Sequence, residues 1–383
     1  MTFCEENNTF KFGENIDLNA CVGKNGINDI NTYEYGFDLA VNILIDAAKK
    51  DTGIVDQIIY PLLFSARHRI ELCLKKSIIF LEDINKIRGK TYNPVSRFSH
   101  DIVRLWSYVK ELSFVDSRYL SLIDDLSPLI EDYRIDSTGT TFRYPYSKKQ
   151  EHHLDEFYHI NIEIFKEQYN KVAALMEKLW CLSSYLLNEY KRKTFTTFLS
   201  RSQIKEIAKA LPPRSSWANS TFDDVKKDLK EKYDISNTAF SNALNIIQAH
   251  REFSSYIESI IPVDELTERD YLLFKEKMCH FHSIDHAIDH AIDMESYLEA
   301  MVSFLAPCAI CSLRAFYEIG YFEFKGSFSE DYDSLVKLFL DKDSCETYLM
   351  EFINSRRTIE WIEKGMRICG QTHFFNNTAE VHS

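Results

Sequence analysis

"YPLLFSARHRIELCLKKSI", residues 60–78, sets Arg67, His68, Arg69, Glu71, Lys75 and Lys76 into an otherwise apolar run. On a 3.6-residue period Leu63, Ala66, Ile70, Cys73, Leu74 and Ser77 gather on one side, and Phe64, Arg67, His68, Glu71 and Lys75 form a stripe beside them. Arg67, Glu71 and Lys75 follow at four-residue steps, where opposite charges pair across one helical turn. Such pairing positions a guanidinium rather than leaving it loose. Arg69 and Lys76 fall off the stripe and read as the outward charges of a surface helix.

The same periodicity extends along most of the chain. Only 11 glycines and 8 prolines punctuate 383 residues, and apolar side chains recur at three- and four-residue spacing. The expected fold class is mainly α: an antiparallel helical bundle, then a second helical domain, with at most short β-hairpins. Residues 1–32 form a polar lead-in, 33–190 the first domain and 191–383 the second. Helices are expected over about 56–82, 99–112 and 117–134, the last with a break at Pro128. Periodicity fails in "DSTGTTFRYPYSKKQEHH", 136–153, which predicts a loop or small hairpin. "KRKTF", 191–195, reads as a linker, and Ser200 or Ser202 as the cap of a helix ending before Pro212. One helix is expected over "SNTAFSNALNIIQAHREF", a strand after "RAFYEIGY", a last helix over 344–368 and a loose tail from Cys369.

"YPLLFSARHRIELCLKKSI", "HDIVRLW" at 100–106 and "DSTGTTFRYP" at 136–145 together resemble the HEPN superfamily of helical domains, over about residues 33–190. The resemblance implies an up-and-down bundle, often dimeric, in which an Arg and a His face a shared cleft and cut RNA without a metal. Known members act in toxin–antitoxin pairs, phage defence and RNA processing, and others only bind partners. By motif position it carries over Arg67 and His68, Glu71 as an orienting acid, and His100 with Asp101. The usual ribonuclease signature is an Arg with a His four to six residues later, and it reads as absent from this sequence: Arg97 to His100 is too short and Arg143 to His152 too long. In that reading His100 or His68 takes a proton from a ribose 2′-hydroxyl and Arg67 stabilises phosphate charge. The structural alternative makes Arg67–Glu71 an ion pair within the helix and His100 a cap.

Other constellations have simpler explanations. His282, His286 and His290 stand one turn apart, with Asp285, Asp289 and Asp293 on a neighbouring face; one helix cannot close a zinc site by itself, so a solvated His–Asp face is expected ahead of a metal. Cys308 and Cys311 sit in an apolar run without a second pair and read as core residues. The short basic runs at 148–149 and 191–193 read first as solvated surface. No Gly-rich phosphate loop occurs, so nucleotide hydrolysis is disfavoured and no cofactor is expected.

The net charge of −13 argues against attraction to nucleic acid over the whole surface but leaves room for a local cleft. The longest apolar stretch, near 301–313, is too short to span a bilayer, the first residues lack a signal-peptide core, and nine scattered cysteines fit a reducing cytosol. The expectation is a cytoplasmic endoribonuclease with no membrane association, forming a homodimer and acting on RNA, under control of a protein partner or antitoxin. A catalytically silent helical module that binds a partner protein or nucleic acid is the alternative.

Overall fold

Residues 55–87 lack glycine and contain one proline near the helix start, so nothing interrupts the amphipathic pattern of the opening stretch. In the computed structural model they form one helix, α2 (Val55–Ile87). The structure describes residues 8–92, 99–147, 149–155, 157–283 (281–283 by backbone alone), 303–321, 327–340, 349, 352–353 and 355–376. The chain divides into two units, Met1–Leu187 and Asn188–Ser383. Among the described residues all regular structure is helical, so the fold is all-α.

In the first unit α2 is flanked by α1 (Ile30–Lys50) and α3 (Ile102–Ser113), followed by α4 (Leu120–Glu131) and α5 (Ile162–Lys191). Asp29 starts α1 by accepting the Thr32 amide at 2.8 Å. Val41, Ile45 and Ala48 of α1 meet Leu62 and Ala66 of α2, with Ile162 and Tyr169 of α5 closing the cluster. Lys76 bonds Glu34, near the start of α1, so α1 and α2 run antiparallel across their short connection. The longer 88–101 connection lets α3 run in the same direction as α2: His100 meets Glu71, Tyr108 meets Glu82, and Asn85 reaches the Leu112 carbonyl. The chain then returns, α4 antiparallel to α3, until the Ile102 amide bonds the Ser137 carbonyl at 2.9 Å.

Central placement corrects the reading of Arg69 and Lys76 as outward charges. Both are buried, and both meet Glu34, at 3.1 and 2.6 Å; Arg69 Nε is also 3.2 Å from Asp38. Their stems and charges lie against Tyr169 and Trp180 of α5. A second correction concerns Pro128, which sits inside α4 without breaking it. The carbonyl its ring leaves without a donor belongs to the exposed Asp124, where water can serve it.

The second unit is built on two cores. Of the two serines expected as caps, Ser200 is the one that begins α6 (Arg201–Ala210), in a reciprocal cap with Gln203. With α7 (Ser220–Tyr233), α8 (Asn237–Ala249) and α9 (Arg251–Tyr256), α6 encloses Ile204, Phe240, Ile247 and Phe253. The single helix expected over 236–253 is broken at His250, whose extended backbone ends α8 and whose ring nitrogen accepts the Phe253 amide to start α9.

The other core lies among α10 (Glu268–Ser283), α11 (Pro307–Tyr321), α12 (Tyr332–Leu340), α13 (Thr358–Ile368) and the short α14 (His373–Asn376). Cys311 is buried there and Cys308 half-buried. The strand expected after Tyr321 lies outside the described residues. The expected tail is packed as far as Asn376: Gln371 and Phe374 are buried, because Gly370 turns the chain with φ 69° and the Gln371 side chain bonds the Ile261 carbonyl.

Where α11 crosses α13 the backbones touch through two glycines. A Cβ at Gly320 would lie 1.9 Å from the Trp361 carbonyl oxygen, and one at Gly365 would lie 1.9 Å from that of Phe316. Neither neighbour is a side chain that can swing away. Replacing either glycine by alanine is expected to lower unfolding stability by about 1–3 kcal/mol or more through overpacking. Gly36→Ala, in α1 with open space around it, is expected to raise stability by roughly 0.5–1 kcal/mol. Urea unfolding of the three variants checks both signs.

Candidate active site

Arg67 projects from α2 toward the turn that follows α4. Its guanidinium is 1% exposed. Nε donates to the Asp136 carbonyl at 3.1 Å, and Nη2 to the carbonyls of Ser137, at 2.8 Å, and of His100. Nη1 pairs with Glu71 one turn along the helix. Gly139 makes the approach possible: its φ is 76°, and a Cβ there would stand 3.1 Å from Nη1. The buried Asp136 carboxylate completes the turn by accepting the Thr141 amide at 2.8 Å, while its other oxygen lies 3.9 Å from Arg67 Nε.

Glu71 is the centre of the cluster. One of its oxygens takes Lys75 Nζ at 2.7 Å and His100 Nδ1 at 2.9 Å; the other takes Arg67 and lies 4.0 Å from His68 Nδ1, beyond hydrogen-bond reach. Burial pushes this carboxyl upward, but the bonds from Lys75, Arg67 and His100 outweigh it and hold it below the ordinary value. An ionised carboxylate only accepts, so His100 Nδ1 carries the proton. A neutral His100 then presents its Nε2 lone pair outward, on a side chain that is 75% exposed.

His68 stands on the same face in a different setting. Its ring stacks on Phe64, with centroids 5.8 Å apart, and meets the edge of Phe37 at 4.4 Å. Burial lowers its affinity for a proton; Glu71 opposes this and Arg67 adds to it, and the net direction is down. His68 is therefore neutral at pH 7. Asp101 acts on its own helix, accepting the amides of Val103 and Arg104 at 2.9 and 3.3 Å and so capping α3.

The structure thus brings Arg67, His68, Glu71 and His100 together and places Asp101 beside them as a cap. Arg67 spends its donors on buried acceptors, which makes it a positioning residue rather than a phosphate ligand. Lys75 was legible in the stripe, but its place at the site was not. The carbonyls of Asp136 and Ser137 carry no side-chain signal at all; only the turn residues of "DSTG" point to them.

The remaining sequence candidates resolve less centrally. His286 and His290 lie outside the described residues, as does the His282 side chain. Among the described residues no group of three metal-ligating side chains converges. The expected absence of the Arg–His signature is corrected at one place, Arg367 and His373 in the second unit, which stand six residues apart. There Arg367 reaches Glu363 at 3.5 Å and lies over Phe375, while the His373 ring tilts against Phe374.

A second charged cluster joins Arg201, Lys205, His250, Glu252 and Glu330 at 2.5–3.0 Å. The bonds from His250 and Arg201 outweigh burial and hold Glu330 well below the carboxylate range. A concavity of about 260 Å³ opens beside it, where His250 faces Glu330 and Arg251 faces Asp333 at 3.0 Å. Both side chains already have carboxylate partners, so the cluster ties α6 and α9 to the segment before α12.

Compared with known proteins, the chain matches no family model, no curated protein and no solved structure.

Because the folded carboxyl of Glu71 lies below its ordinary 4.5, the unfolded chain binds that proton more readily. The contribution of Glu71 to stability is complete above about pH 4.5 and is lost as pH falls toward the folded value. Glu71→Gln is expected to lower stability at pH 7 and to flatten its decline as pH falls below about 4.5, read from urea midpoints. Arg67→Ala should cost about 3–5 kcal/mol at pH 7, because it removes one of the cations that Glu71 meets and leaves the carbonyls of Asp136, Ser137 and His100 without this donor.

Proposed function

We propose that the first unit is a metal-independent endoribonuclease of the HEPN type, acting in bacterial phage defence or as a toxin component. The observation that carries the reading is the 2.9 Å contact between Glu71 and His100 Nδ1, with the rest of the His100 ring in solvent. A carboxylate behind an imidazole fixes its tautomer and orientation and stabilises the imidazolium once it forms.

His100 Nε2 would remove the proton from a ribose 2′-hydroxyl, and the 2′-oxygen would attack the adjacent phosphorus. The bond to the 5′-oxygen breaks, and the proton held by His100 returns to that oxygen. The products are a 2′,3′-cyclic phosphate and a 5′-hydroxyl. Lys75, bonded to Glu71 through one of its three N–H groups, has donors left for a phosphate oxygen. Arg67 acts indirectly, holding the His100 carbonyl and Glu71 in register. Pairing of two chains around this face would set two such sites across one cleft, and a protein partner or antitoxin covering His100 would silence them.

The burial of Arg67 favours a second reading, a catalytically silent module that binds a partner protein or nucleic acid, since a guanidinium committed to carbonyls cannot meet phosphate. One experiment separates the two. Purified protein is incubated with total RNA and with tRNA in EDTA. Wild type is expected to cut, and His100→Ala to cut about 100-fold more slowly with its melting temperature unchanged, because the ring is mostly solvated. An inactive wild type, or a variant as active as wild type, leaves the binding module as the better account.

A further inference from the structure

The segment after the Arg67 turn is unusually rich in rings that remain in solvent. Tyr144 and Tyr146 are each about half exposed and Tyr158 is 88% exposed, while Tyr60 of α2 faces the same segment with half its surface free. Apolar burial does not explain them. Its described residues are joined by their own bonds: Tyr146 pairs with His152 in a single antiparallel bridge, the Ser147 amide bonds the Glu151 carbonyl at 2.8 Å, and the His153 amide bonds the Pro145 carbonyl at 3.0 Å.

Two open concavities flank this hairpin, of about 400 and 340 Å³, and both are lined by Tyr60, His153 and Leu154. The smaller also exposes Arg143 and Tyr144. Arg143 lies over the Tyr144 ring at 5.2 Å and bonds its hydroxyl at 3.2 Å, which leaves other guanidinium donors facing outward. The same guanidinium lies 5.6 Å from the Phe64 ring, and Phe64 stacks on His68. A line of contacts therefore runs from the hairpin through Phe64 and His68 to Glu71 and His100.

Paired concavities walled by exposed rings, with a cation stacked at the edge, fit planar bases joined by phosphates. Base stacking on aromatic side chains tolerates any sequence and needs bases that are not already stacked and paired. We infer that the Tyr60–Tyr144–His153 surface is a stacking site for unpaired bases of single-stranded RNA, with Arg143 at a phosphate, and that a strand seated there leads its sugar to His100. The inference rests on the ribonuclease reading for the fate of the strand, but the binding step can be measured alone. Because the surface is aromatic and the chain is acidic overall, stacking rather than phosphate charge dominates the affinity, and binding should weaken only modestly with salt.

The test uses the full chain in EDTA and a fluorescein-labelled, 2′-O-methylated oligoribonucleotide of about a dozen nucleotides, which cannot be cut at a 2′-hydroxyl. Anisotropy is expected to show binding of the single strand and much weaker binding of the same sequence as a duplex. Tyr60→Ala and Tyr144→Ala should each weaken binding about fivefold or more, and Tyr144→Phe should retain it. Equal affinity for the duplex, no binding of either RNA, or alanine variants that bind like wild type with normal circular dichroism would each overturn the inference. Cleavage of the unmodified strand separates the two proposals. If wild type binds as described but does not cut, the stacking site stands and the nuclease falls. If it cuts and the tyrosine variants keep the wild-type KM, the nuclease stands and the stacking site falls.

Discussion

The first unit depends on one buried cation. Arg67 ties α2 to His100, just ahead of the α3 cap, and to the turn after α4, three segments separated by more than thirty residues in each case. Removing a guanidinium from water costs several kcal/mol, and the cost is met only because each bond is to a fixed carbonyl or to an ionised carboxylate. Backbone carbonyls are demanding partners, since they move only if their segments move. The ends of α3 and α4 are therefore set against α2 by a polar contact, while apolar packing alone would tolerate a slide along the helix.

From that constraint the site's chemistry follows in order. Bonds from Lys75, Arg67 and His100 keep Glu71 ionised although it is 2% exposed. Because Arg67 also grips the His100 carbonyl, the imidazole of His100 falls beside the carboxylate that Arg67 stabilises. The same side chain thus supplies position and charge, and neither role requires it to touch a ligand. Lys75 adds charge on the open side, and Phe64 and Phe37 hold His68 neutral next to it.

Much of this was legible in the sequence, for a definite reason. Four-residue spacing on a helix predicts contact directly, so the Arg67–Glu71–Lys75 run could be read as a built cluster, and the three quoted motifs mark the three segments that meet there. What the sequence hid were contacts that cross elements. Arg69 and Lys76 look outward on a helical wheel because their partner, Glu34, lies in another helix. The His250 break is invisible to apolar periodicity, which continues through Phe253. Gly320 and Gly365 carry the α11–α13 crossing, yet each alone reads as an ordinary helical glycine. In the site itself, acceptors that are backbone carbonyls leave no side-chain trace.

The most direct test of the account is the protonation pattern of one ring. If a buried, ionised Glu71 holds His100, nitrogen-15 NMR of histidine-labelled protein should show the neutral form of the His100 ring with its proton on Nδ1, and Glu71→Gln should release it toward the mixture found in a free imidazole. A proton resident on Nε2, or a tautomer mixture unchanged by Glu71→Gln, would contradict the arrangement from which the proposed chemistry is derived.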